Sequence, residues 1–123
     1  RCRETTEIMN RDQKLPVEFE PRLRERGFGS LEGKRWEEFD FDGSIKMKDR
    51  ALEYDYRPFG GESADDVKKR ISEAVDDIRR NNIGEKVLVI TSAGVIRMLH
   101  HIHHGKIHDV IHNGSIHAFE FAD

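Results

Sequence analysis

Residues 87–99 read VLVITSAGVIRML, and the first four of them decide the fold. Val87 to Ile90 are continuously apolar and bounded by Lys86 and Thr91. A strand with one wet face alternates apolar and polar residues. An unbroken apolar run predicts a strand buried on both faces, in a sheet layered with helices. Thr91, Ser92, Ala93 and Gly94 then form a turn of small residues. Val95 to about His103 predicts a helix, which Gly105 ends.

Working outward, Ser63 to Asn81 is the clearest helix. Val67, Ile71, Ala74, Val75 and Ile78 fall on one stripe, Ser63 with Asp66 forms a capping box, and Asn82 and Gly84 are stop signals. Downstream, Asn113 and Gly114 introduce a final strand over Ser115 to Phe121. Upstream, Arg1 to Asn10 reads as a helix with acidic residues early. Leu15 to Phe19, holding Pro16, reads as a short strand or extended arrival. Leu23 to Gly33 (LRERGFGSLEG) is a charged loop broken by Gly27, Gly29 and Gly33. Lys34 to Tyr56 accommodates one or two short helices, closed by Pro58, Gly60 and Gly61. Helix, strand, tight turn, helix and strand make an α/β layout.

The chain of 123 residues has no composition break long enough for a linker, so residues 1–123 read as one domain or part of one. Lys and Arg total 21 against 24 for Asp and Glu, a net charge of -3 that gives no electrostatic reason to expect nucleic acid or an anionic membrane. Cys2 is the single cysteine, which excludes an intrachain disulfide and suits a reducing cytoplasm. No apolar run approaches the roughly 18 residues needed to cross a bilayer. The chain begins without Met, inside a helix-like segment, and the expectation is that natural sequence lies upstream of Arg1.

Four places can carry chemistry. The turn Thr91–Gly94 follows the predicted strand, at the strand end where open α/β sheets bind ligands, and the helix after it offers unpaired N–H groups to an anion. The alternative is a tight turn without a ligand. Arg24, Glu25 and Arg26 sit together in a loop, where a carboxylate can move protons while guanidinium groups hold phosphate bidentately. The alternative there is a surface ion-pair cluster. In Phe59 to Ser63 (FGGES), Ser63 needs no role beyond capping, whereas Glu62 serves the helix dipole or orients an arginine. The histidines at 100, 101, 103, 104, 108, 112 and 117 include a pair four apart, but no acidic residue between them and no Cys completes a metal pattern. No metal or cofactor is expected.

Taken in order, these pieces resemble the histidine-phosphatase superfamily (phosphoglycerate-mutase-like) over nearly the whole chain. RCRETTEI is similar to the family's helix start, with Arg1 matching an arginine of the phosphate pocket. LRERGFGSLEG is similar to the family's Leu-x-Glu-x-x-x-Gly-x-x-Glu-Gly segment, in which Glu25 matches the acid that protonates the leaving oxygen. Arg26 and Phe28 match neighbours that border the substrate. PFGGES with Val67 and Arg70 resembles the Gly-Glu-Ser stretch and its helix, VLVITSAGVIRML the strand, turn and helix that usually read His-Gly, and NGSI the lead-in to the last strand.

The resemblance implies a three-layer α/β/α fold with a mostly parallel sheet, incomplete within these residues. It implies a phosphoryl-transfer enzyme, a phosphomonoester hydrolase before a mutase, acting on a phosphorylated small molecule without a cofactor. Catalysis falls to Glu25 and to Ser92, which stands where the family has its second pocket histidine. Phosphate and substrate contacts fall to Arg1, Arg26, Phe28, Glu62, Ala93 and Gly94. Two departures stand out: no Arg-His-Gly triplet, the family's source of its nucleophilic histidine, occurs in residues 1–123, and Ser92-Ala93 replaces His-Gly. A serine donates one hydrogen bond but carries no positive charge. The competing reading is a pseudophosphatase that binds a phosphorylated ligand or a protein. The expectations are that Arg1, Glu25 and Ser92 converge on one pocket, and that Val87–Ile90 keeps an open edge for an upstream strand, a second copy or another polypeptide.

Overall fold

The computed structural model describes residues 1–121. Its helices are α1 (Cys2–Met9), α2 (Trp36–Phe39), α3 (Ser44–Arg50), α4 (Ala64–Asn81) and α5 (Ala93–His104), with short 3-10 turns at Pro21–Leu23, Gly29–Leu31 and Arg57–Phe59. The longest, α4, follows from local chemistry. The Ser63 hydroxyl accepts from the Asp66 N–H at 3.1 Å and the Asp66 carboxylate accepts from the Ser63 N–H at 3.1 Å, so two otherwise orphaned donors are satisfied at the helix start. Its apolar stripe, Ala64, Val67, Ile71 and Ala74, is buried. α5 begins two residues earlier than the sequence pattern predicts and stops at Gly105, which takes the left-handed conformation (φ 67) that ends many helices.

One core joins these elements. Val67 and Ile71 of α4 and Val95, Met98 and Leu99 of α5 form a cluster with Leu31, Leu52, Tyr54 and Tyr56. Ile71 and Val95 are fully enclosed, and burying each such side chain stabilises the fold by about 1.5–3 kcal/mol. α1 contributes no buried residue.

The expected sheet is not there, and the three-layer α/β/α reading is corrected accordingly. Among the described residues the β pairing consists of one isolated antiparallel bridge, Asp55 to Ser63. Leu15–Phe19, Val87–Ile90 and Ser115–Phe121 form no strand. The reason is that a strand is a pairwise object: its N–H and C=O groups need a second backbone about 4.8 Å away. Among the described residues no segment pairs with Val87–Ile90, and without pairing the expected two-sided burial is lost. Val87, Leu88 and Val89 remain 47%, 67% and 41% exposed. Among the described residues no helix is long and apolar enough to cross a membrane.

Candidate functional site

Two loops meet in front of α5. The first is residues 23–29, launched by the 3-10 turn at Pro21, whose N-cap Glu20 accepts from the Arg22 N–H. The second is the turn 91–94. The Thr91 hydroxyl donates to the Leu23 carbonyl at 2.7 Å, and the Gly94 N–H donates to Glu25 Oε2 at 3.2 Å. A carboxylate from one loop thus reaches one of the orphan N–H groups at the start of a helix, where the dipole favours negative charge.

Glu25 has a second partner. Its Oε1 accepts from the Arg26 N–H at 2.8 Å and from Arg26 Nη1 at 2.9 Å. The remaining edge of the guanidinium, Nε and Nη2, donates to Asp49 at 2.9 and 3.0 Å. The Arg26 side chain lies 4.7 Å over the Phe28 ring and 5.6 Å from that of Tyr54. Burial works against the charge on Arg26, but the Asp49 and Glu25 carboxylates outweigh it and lift its pKa above the ordinary value. Burial, reinforced by the short bond to Asp49, likewise holds the Tyr56 hydroxyl protonated well above its usual range.

The loop is braced from behind. Glu62 Oε1 accepts from the Gly27 N–H at 2.9 Å while the Glu62 N–H donates back to the Gly27 carbonyl at 2.9 Å. The same carboxylate takes a bidentate pair from Arg70 at 2.8 and 3.0 Å. Arg70 in turn donates to the carbonyls of Arg22, Arg24 and Glu25. The Arg70 hydrogen bonds hold the Glu62 carboxyl below its ordinary value despite burial. Gly61 allows the close approach: a Cβ there would stand 2.8 Å from Tyr56 Cβ and 2.9 Å from the Phe28 carbonyl carbon.

Glu25, Arg26 and Gly94 are therefore in direct contact, with the backbone of the 91–94 turn tied to the same loop. The Ser92 hydroxyl caps nothing: its oxygen is buried without a hydrogen-bond partner at the head of α5, while Ala93 beside it is exposed. Phe28 faces the core, packed on Tyr56 at 4.8 Å between ring centroids. Glu62 acts on the loop backbone directly at Gly27 and through Arg70, and lies 3.8 Å from Arg24. Arg1 heads α1, exposed, and among the described residues no hydrogen bond or ion pair links its side chain to the Glu25 cluster. His100 and His104 touch through their Nδ1 atoms at 3.2 Å, and His100 also meets His117 at 2.8 Å. No group of three or more His, Cys, Asp or Glu among the described residues is placed to hold a metal.

Asp49 escaped the sequence reading. Asp49 sits in the charged run Lys46-Met47-Lys48-Asp49-Arg50, which in sequence looks like a solvated helix face. Only its burial, at 4% exposure, separates it from its neighbours.

The family model of the histidine phosphatase superfamily (branch 1) matches residues 1–123. A metal-independent phosphoserine phosphatase of Arabidopsis thaliana is 34% identical over 85 residues, which are 65% of this chain and 34% of that protein. The chain thus spans about a third of the length of the curated relative it matches. No solved structure matches. The chain belongs to the histidine phosphatase superfamily.

Proposed function

From that membership we propose that residues 1–123 supply the proton-donor and anion-binding part of a single phosphomonoester-hydrolase domain. The observation that carries the reading is the contact of Glu25 with Arg26 and with the Gly94 N–H, which joins positions 69 residues apart into an acid, a cation and a helix N-terminus. In this scheme a phosphoryl oxygen docks at the start of α5 against the Ala93 N–H and beside the Ser92 hydroxyl, while the Gly94 N–H, which donates to Glu25, holds the acid at the edge of the phosphate. Arg26 supplies positive charge, Glu25 protonates the leaving oxygen and later takes a proton from water. Arg1 is assigned to the phosphate, Phe28 to the border of the substrate and Glu62 to the brace behind the loop. The substrate is a phosphorylated small molecule, and the phosphoserine in the relative's name makes a phosphorylated hydroxy amino acid the first to try. Hydrolysis is preferred over mutase chemistry because the 26 residues between Gly33 and Gly60 make a short cover. A cytoplasmic setting suits the single, exposed and unpaired Cys2.

Two features limit turnover. Nothing in residues 1–123 matches the nucleophilic histidine, and Ser92 brings no charge to the transferring group; loss of one preorganised stabilising donor typically costs about a hundred- to a thousandfold in rate. The unpartnered Ser92 hydroxyl also favours the second reading, a phospho-ligand-binding pseudophosphatase.

Steady-state hydrolysis of an alkyl and an aryl phosphate separates the two. The chain alone should turn over neither. A polypeptide in which an Arg-His-Gly segment of the family precedes Arg1 should form a phosphoenzyme but hydrolyse it slowly, and Ser92→His in that polypeptide should recover most of the deficit. Glu25→Gln should then abolish the gain with the alkyl leaving group and spare it with the aryl one. Full activity with Ser92 in place would remove position 92 from the site, and binding without turnover in every variant would favour the pseudophosphatase.

A further inference from the structure

Asp49 is the one buried carboxylate among the described residues, and no motif of the sequence accounts for it. It stands in the last turn of α3, behind Arg26. Three side chains converge on it. Arg26 donates through Nε to Oδ2 and through Nη2 to Oδ1, the Tyr56 hydroxyl donates to Oδ2 at 2.6 Å, and Arg97 Nη1 lies 3.9 Å from Oδ1. A guanidinium is a rigid planar fork, so fixing its Nε–Nη2 edge also fixes where Nη1 points. Nη1 is the atom that holds Glu25.

We propose that Asp49 is a positioning residue for the reaction: it clamps Arg26 so that the free end of the fork holds the Glu25 carboxylate against the Gly94 N–H. The inference rests on Glu25 being the proton donor.

Asp49 also reaches the other side of the contact. Arg97 belongs to α5, the helix that carries Gly94, and it is itself anchored by donating to the carbonyls of Arg50 at 2.6 Å and His108 at 2.7 Å. Asp49 therefore touches an arginine from each wall of the site, and its charge is shared between the loop that bears the acid and the helix that meets it. Tyr56, stacked on Tyr54 at 5.3 Å between ring centroids, holds Oδ2 from the core side. A pair that served stability alone would have no reason to leave Nη1 aimed at an exposed carboxylate. A proton donor, by contrast, is useful only within hydrogen-bond reach of the oxygen it serves, and displacement by about an ångström can cost on the order of a hundredfold in rate.

The test uses the protein with nitrogen-15 labelling and three variants: Asp49→Asn, which keeps the shape and removes the charge; Tyr56→Phe, which removes one hydrogen bond from Asp49; and Glu25→Gln as reference. Two resonances are followed, the Gly94 amide and the Arg26 Nε–H. In Asp49→Asn the Arg26 Nε–H should exchange with solvent at least about tenfold faster, and the Gly94 amide should move toward its position in Glu25→Gln. Tyr56→Phe should move both in the same direction by less. If Asp49→Asn does not fold, Tyr56→Phe decides. Resonances of Arg26 and Gly94 that coincide with those of the unsubstituted protein in the folded variant would overturn the proposal.

The kinetic counterpart uses the polypeptide with the upstream histidine segment. Asp49→Asn should lower kcat for the alkyl phosphate roughly ten- to a hundredfold more than for the aryl phosphate, with KM changed less than kcat. An equal loss on both substrates would mean a merely structural ion pair and would also overturn the proposal. If Glu25→Gln itself shows no leaving-group dependence, the functional reading fails, while the Gly94 and Arg26 resonances still report whether Asp49 orients the pair.

Discussion

Gly94→Ala separates stability from function in this fold. A Cβ at position 94 would fall on Glu25 Oε1 and Arg26 Nη1 and stand 2.8 Å from Glu25 Cδ. The obstructing atoms are side-chain ends, and the Glu25 side chain, 40% exposed, can swing into water. On stability, four terms compete. Alanine at a helical glycine gains about 0.5–1 kcal/mol. Losing the Gly94 N–H bond to a solvent-exposed carboxylate costs about 1 kcal/mol, and the exposed Glu25–Arg26 ion pair at most about another 1 kcal/mol. Arg26 Nη1 must give way too, and because Nε and Nη2 are held by Asp49 the fork tilts as a unit and loosens that pair, at a further cost on the order of 1 kcal/mol. The net change should be a destabilisation of no more than about 2.5 kcal/mol, a shift in Tm of no more than about 12 °C. Function should respond far more. Displacing Glu25 by an ångström or more removes a proton donor of the kind that typically contributes a factor of about 10² to 10⁴. The assay pairs thermal melting of the protein with the ratio of alkyl to aryl phosphate hydrolysis in the polypeptide bearing the histidine segment. The expected result is a folded protein with a Tm lowered by no more than that amount and an alkyl rate reduced about a hundredfold or more. A loss of stability above about 3 kcal/mol would show that Glu25 cannot yield, and an unchanged alkyl-to-aryl ratio would show that the carboxylate seen here is not the proton donor.

Gly29→Ala should behave in the opposite way: position 29 has φ 61, and a Cβ would overlap the Phe59 carbonyl oxygen and stand 2.6 and 2.7 Å from the Phe59 and Gly60 carbonyl carbons, which are backbone. The expected loss is about 3 kcal/mol or more in urea unfolding, and a loss under about 1 kcal/mol would contradict the packing of the two loops. Stability should also fall with pH in two stages. Burial, then His108, His117 and His104, push His100 below its ordinary 6.5, so the unfolded chain takes up that proton first and stability, complete above pH 6.5, declines below it. Glu62, held below its ordinary 4.5 by Arg70, contributes stability above pH 4.5 that is lost as pH falls further. His103, which burial likewise pushes below its ordinary value, shares the upper stage, so His100→Gln should shrink that stage without removing it and leave the lower one; unfolding free energies that are flat from neutrality to pH 4.5, or an upper stage undiminished in His100→Gln, would refute the first assignment.

What the sequence determined by itself is what short-range chemistry decides. The stripe Val67, Ile71 and Ala74 with the Ser63–Asp66 capping box sets α4, and Gly105 stops α5, because helix bonds and caps close within about four residues. The family was legible for a related reason: LRERGFGSLEG keeps its pattern in closely spaced positions. The sheet was not decided locally. VLVI at 87–90 states a demand for burial, but a strand needs a second backbone to pair with, and among residues 1–121 none pairs with it. Asp49 is the complementary case. In sequence it is one charge in a charged run, and it becomes distinctive only when α3, the 23–29 loop and α5 close around it and leave a buried carboxylate between Arg26, Tyr56 and Arg97. Charge is written residue by residue, whereas burial is a property of the packed chain, so which acid of the charged run lies buried was decided only by the tertiary structure.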